Sequence, residues 1–128
     1  MKHYTTIEQS KKLVELGLNP ETADMFYSRR PTGKSEYSVF PDFKPEGRLE
    51  VFTKVDLPCW SVGALMKLIN GIITEDAGLL SFMLWNHYEG WSIQCELLGY
   101  NHSCSTSLET VYDTVIWLLE NGYIKKEK

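Results

Sequence analysis

From Trp91 to Leu119 the chain reads WSIQCELLGYNHSCSTSLETVYDTVIWLL, and its two halves follow two different periods. Trp91, Ile93, Cys95 and Leu97 alternate with Ser92, Gln94 and Glu96, the period of two of a half-exposed strand. Beyond Thr106 the spacing changes. Leu108, Val111, Tyr112, Val115, Leu118 and Leu119 fall within one broad helical face, and Thr106 with Glu109 has capping-box spacing. A strand and a helix joined by a short link, with a third short strand expected over Gly99 to Ser103, set an α+β expectation for this half.

Working outward, Leu79 to Trp85 is nearly continuous apolar sequence, and Asn86 to Gly90 has hairpin length, so an antiparallel hairpin is expected here. Upstream, Ser61 caps a helix whose stripe is Val62, Leu65, Met66 and Ile69, with Trp60 placed as a hydrophobic staple on Leu65. Thr5 with Glu8, or Thr6 with Gln9, opens a first helix carrying Ile7, Leu13, Val14 and Leu16. Asn19-Pro20 predicts a second, shorter helix through Ala23, Met25, Phe26 and Tyr27. Residues 28 to 47 hold Pro31, Pro41, Pro45, Gly33 and Gly47 and read as an irregular loop, with Glu36 to Phe40 as a short edge piece. Arg48 to Val55 alternates as a strand. The expectation is one α+β domain over residues 1–128, with three principal helices packed on a small, mostly antiparallel sheet.

At 128 residues the chain is long enough for one core without disulfides or metal. Its net charge of −4 gives no electrostatic reason to sit on DNA or an anionic membrane. The start, Met1 to Thr6, lacks the apolar stretch of a secretory signal, and no apolar run reaches spanning length, so no membrane partner is expected. Cys59, Cys95 and Cys104 form an odd set without a CxxC pair, the usage of a reducing compartment, and the cytoplasm is the expected location.

The chemistry-bearing residues are sparse. Cys95, His102 and Cys104, with Cys59 or His87 as a fourth donor, have the atom types of a zinc site, but only His102-Ser103-Cys104 is closely spaced. Cys95 also falls on the apolar face of its strand. Neither a metal nor a cofactor is therefore expected. Cys59 precedes a helix start, where a thiol pKa can fall, yet packing beside Trp60 accounts for it. Ser61 is explained by capping, and Glu75-Asp76 as solvated loop carboxylates. No catalytic residue is assigned, and an enzyme is not the favoured reading.

Two surface features remain. Arg29, Arg30 and Lys34 lie near Tyr37, a mixture that stacks bases and neutralises phosphates, but Glu36, Asp42 and Glu46 dilute it. A small nucleic-acid-binding regulator is thus the alternative function, with a solvated loop favoured over it. On the last helix, Trp117 lies about 180° from the centre of the apolar face, grouped with Thr110, Asp113 and Glu120. An indole on a polar face marks Trp117, Asp113 and Glu120 as a candidate contact surface for a protein partner or self-association, with a second chain expected to cover the indole.

The stretches Tyr4-Thr-Thr-Ile-Glu-Gln-Ser-Lys-Lys-Leu13, Pro58-Cys-Trp-Ser-Val-Gly-Ala-Leu65 and Trp117-Leu-Leu-Glu-Asn-Gly-Tyr-Ile124 resemble a group of short uncharacterised proteins encoded in prophages and mobile elements of Bacteroides-type gut bacteria. The resemblance implies a bacterial cytoplasm and a mobile-element accessory role, and it implies no site residues. With no convergent chemistry in the sequence and with the Trp117 surface, the expected function is a non-enzymatic accessory or regulatory module acting through protein–protein contacts.

Overall fold

The computed structural model describes residues 3–29, 37–38, 40–43, 56–75 and 78–126. Among these, three α-helices and three small antiparallel sheets make an α+β fold. The helices are α1 (Ile7–Glu15), α2 (Val62–Ile69) and α3 (Ser107–Glu120). Strands β1 (Met25–Tyr27), β2 (Asp42–Phe43) and β3 (Leu57–Cys59) form one sheet in the order β2-β1-β3. Strands β4 (Ile73–Thr74) and β5 (Gly78–Leu79) pair alone. The largest sheet runs β6 (Met83–His87), β7 (Gly90–Cys95), β8 (Tyr100–Cys104) in sequence order.

The first helix takes the second of its two possible caps. Thr6 Oγ1 accepts the Gln9 backbone N–H and the Gln9 side chain accepts the Thr6 N–H. That leaves Thr5 free to go inside, where it is fully buried with Ser10, their hydroxyls 2.7 Å apart. Val14, expected on the apolar face, is 40% exposed, because the face that packs is centred on Ser10 and Leu13.

The short second helix is not formed. Pro20–Thr22 makes a single 3-10 turn capped by Asn19, and Met25, Phe26 and Tyr27 continue as β1. Pairing with β3 outweighs local helical spacing here: Met25 lies opposite Cys59 and Tyr27 opposite Leu57, all four of them buried. Asp24, between turn and strand, accepts the Ser61 backbone N–H at 2.9 Å and the Ser61 hydroxyl at 2.5 Å. Ser61 in turn caps α2 by accepting the Ala64 N–H. Trp60 is completely buried with Leu65 in the main core, and its indole N–H donates to Thr22 Oγ1. The strand expected over residues 48–55 lies outside the described residues.

The hairpin forms as expected from the sequence, with Tyr88-Glu89 as its two-residue turn and His87 opposite Gly90. Gly90 has φ +143°, and a Cβ there would stand 2.4 Å from the Cys104 carbonyl oxygen on β8. Only glycine permits that approach. Helix α3 lies across β7 and β8 and against α2, burying Leu108, Val111, Val115, Leu118 and Leu119. Each such aliphatic side chain contributes roughly 2 kcal/mol of burial.

Replacing Gly90 with Ala forces either β8 to retreat or the turn to strain, and should cost about 3 kcal/mol of stability in chemical denaturation. A second outcome concerns Cys59, whose thiol burial pushes up to about 11. A thiol that keeps its proton longer when folded than when unfolded stabilises fully below the ordinary value of about 9. That contribution is lost as pH rises through about 11. Stability measured by thermal melting should therefore fall between those two values, and Cys59→Ala should flatten the fall.

Candidate functional site

Three residues that carry chemistry meet where β8 turns into α3. His102 and Cys104 are two apart on β8 and so share a face, the one that looks at the helix. Asp113 reaches them from the second turn of α3. His102 Nε2 lies 2.9 Å from Asp113 Oδ2 and 3.2 Å from Cys104 Sγ, and Cys104 Sγ lies 3.4 Å from the same Asp113 oxygen. The three donor atoms thus form a closed triangle, partly open to solvent, with His102 35% and Asp113 47% exposed.

The triangle is not a relay for nucleophilic catalysis. In a relay the imidazole uses one nitrogen toward the acid and the other toward the nucleophile. Here Asp113 and Cys104 compete for the same Nε2. The Cys104 thiol is also held up, to about 11, first by burial and then by its hydrogen bond to Asp113 and the charges of Asp113 and Glu109. A thiol in such surroundings stays protonated and unreactive at neutral pH.

One helical turn further on, Trp117 packs beside this triangle. Its ring lies 4.5 Å from that of Tyr100, tilted by 34°, and 5.6 Å from that of Tyr123, stacked at 19°. The sequence placed this face of the helix toward solvent together with Thr110. The structure corrects that: Thr110 and Thr114 are fully buried against the sheet, because α3 has two neighbours and its buried arc is wider than its apolar stripe. Trp117 consequently sits at the edge of the core, partly buried, and residues of its own chain flank the ring where a second chain was expected. Asp113 and Glu120 are exposed as expected.

The other candidates separate. Cys95 belongs to the core and lies opposite Tyr100, away from the triangle. His87 is on the other face of the sheet, 2.8 Å from Ser92 Oγ, which lies 2.6 Å from Ser103 Oγ. Ser92 is buried, and this chain of one imidazole and two hydroxyls links three strands. Cys59 has no exposed surface and cannot meet a substrate. Glu75 is exposed, and Asp76 lies outside the described residues. In the basic region, Arg29 forms a bridge with Tyr37, the Lys11 ammonium lies 5.5 Å from the Tyr37 ring centre, and the Arg29 backbone N–H donates to Asp56. Arg30 and Lys34 lie outside the described residues. A shallow cavity of about 330 Å³, lined by Ser81, Met83, Gln94, Glu96 and Leu97, gathers a single titratable side chain, Glu96.

Asp113 as the partner of His102 and Cys104, and Tyr100 and Tyr123 as partners of Trp117, were not foreseen. A signal existed: Tyr100, His102 and Cys104 alternate on one strand, and Asp113 and Trp117 are four apart on the next helix. Comparison with protein families, curated proteins and solved structures finds no match to the chain. Among the described residues no helix is long and apolar enough to cross a membrane.

Alkylation of metal-free Cys104 by iodoacetamide should be slow at neutral pH and accelerate as pH rises toward 11. Asp113→Asn leaves burial in place but removes one of the charges that add to it in holding the thiol protonated, and should speed the reaction at pH 8 several-fold, read by peptide mass spectrometry.

Proposed function

We propose that this protein is a non-enzymatic accessory module, at work in a bacterial cytoplasm on behalf of a prophage or other mobile element, that acts by contacting another protein or a second copy of itself. The observation that carries this reading is the aromatic stack of Tyr100, Trp117 and Tyr123 at the surface edge of α3. Large aromatic side chains held rigid by their neighbours lose little entropy on binding, and they dominate the energetics of protein contacts. Asp113 and Glu120 supply the polar rim such patches have. Tyr123, 36% exposed, offers the ring most available to a partner. The setting comes from the resemblance of the three sequence blocks.

The nucleic-acid alternative has Arg29 and Tyr37 as its described members, with the Lys11 ammonium beside the Tyr37 ring and Asp56 bonded to the Arg29 backbone. Binding of single- or double-stranded probes at low salt, weakening steeply as salt is added, is the result that would put it first.

The test compares the full chain with a Tyr123→Ala, Glu120→Arg variant in light scattering and in capture from host lysate. The wild type should self-associate or retain a defined partner. The variant should lose at least about tenfold in affinity while its far-ultraviolet circular dichroism is unchanged. A wild type that stays monomeric and captures nothing contradicts the reading, as does a variant that binds equally well.

A further inference from the structure

The triangle of donors at the β8–α3 junction has a chemistry of its own, although it shares Asp113 with the contact surface beside it. We propose that His102, Cys104 and Asp113 bind a divalent metal ion of borderline softness, Zn²⁺ by best fit, through Nε2, Sγ and Oδ2, leaving a fourth position to solvent.

The first ground is geometric. With zinc bonds of about 2.0–2.3 Å at tetrahedral angles, neighbouring imidazole, thiolate and carboxylate donors stand about 3.3–3.6 Å apart. The three separations here are 2.9, 3.2 and 3.4 Å. A small outward relaxation turns the triangle into one face of a coordination tetrahedron. Ordinary hydrogen bonding does not require this closure, since Asp113 Oδ2 can accept from both partners without Nε2 and Sγ meeting.

The second ground is the donor set. A thiolate, an imidazole and a carboxylate together suit zinc better than the harder Mg²⁺ or Ca²⁺, which take oxygen. The third is electrostatic. Glu109 stands one turn before Asp113 on α3, and among the described residues the ion-pair partner of Asp113 is His102, charged only when protonated. A divalent cation reverses that balance and makes the thiolate favourable. On binding, Cys104 releases its proton to solvent and coordinates as the thiolate, while His102 offers an unprotonated Nε2 and Asp113 a carboxylate oxygen. The ion would then tie β8 to α3 across the Ser105–Thr106 link. Three protein ligands with an open position can also accept an outside donor atom.

Cobalt(II) reports such a site directly, because thiolate coordination gives a charge-transfer band and tetrahedral geometry gives intense visible bands. Titration of the untagged, reduced full chain with Co²⁺ should show both at one ion per chain, with Zn²⁺ displacing them. Cys104→Ser should abolish the charge-transfer band. Asp113→Asn and His102→Gln, close in shape to the originals, should weaken binding by at least about 100-fold, the upper end of what even outer-shell losses cost. Zn²⁺ should raise the melting temperature of the wild type and leave that of Cys104→Ser unchanged. The circular dichroism of each metal-free variant checks its folding. Absence of the band with Co²⁺ in large excess overturns the proposal, and so does a band that survives Cys104→Ser. Either result leaves the contact-surface reading standing or falling by its own test.

Discussion

The seating of α3 on the β7–β8 ladder decides what the surface of this protein presents. Two threonines make that seat. Thr110 and Thr114 are fully buried, and each donates its hydroxyl to the helix carbonyl one turn earlier, at 2.7 and 2.8 Å. Satisfied in this way, they enter the interior without the cost of an unpaired hydroxyl. With that proton committed, Thr114 Oγ1 accepts from the Tyr100 hydroxyl at 3.0 Å, fastening helix to strand. The rotation of the helix is thereby set, and the residues next to these threonines, Asp113 and Trp117, are carried over β8 to meet His102, Cys104 and Tyr100.

At the other end a second buried hydroxyl gathers the N-terminal half. Thr5 exchanges backbone hydrogen bonds with Trp60 through its N–H and side chain, at 2.9 and 3.0 Å, and its carbonyl accepts from the Tyr27 hydroxyl and the Cys59 thiol. Helix α1, strands β1 and β3 and the entry to α2 thus share one polar node inside an apolar shell. Asp24 completes it by holding the α2 cap. The node keeps Cys59 inside as a packing and hydrogen-bonding residue, and the chemistry it might have offered at a helix start is lost to burial.

Much of this was legible in the residues. The Ser61 and Thr106 caps, the hairpin around Tyr88-Glu89 and the third strand are local signals, and local signals survive folding. The strand at Met25–Tyr27 was not legible, because its identity comes from pairing with β3, some thirty residues away in sequence. The site was half legible. His102 and Cys104 stood out as a close pair, but their third member could be found only once the phase of α3 was known. The expected apolar face is buried, but the buried arc is wider than it, because threonine, polar by composition, lines a further part of the helix against the sheet. A helix with two buried neighbours hides one of them from a hydrophobicity pattern.

The most direct measurement is a set of proton–proton nuclear Overhauser contacts from the Trp117 indole. With ring centres 4.5 and 5.6 Å away, cross-peaks to the Tyr100 and Tyr123 rings should be plain, and they should appear as contacts within one chain in an isotope-filtered mixture. An indole that shows neither aromatic partner, or that shows them only between chains, would mean that α3 sits on the sheet in another phase, and the threonine seat with all that it positions would be contradicted.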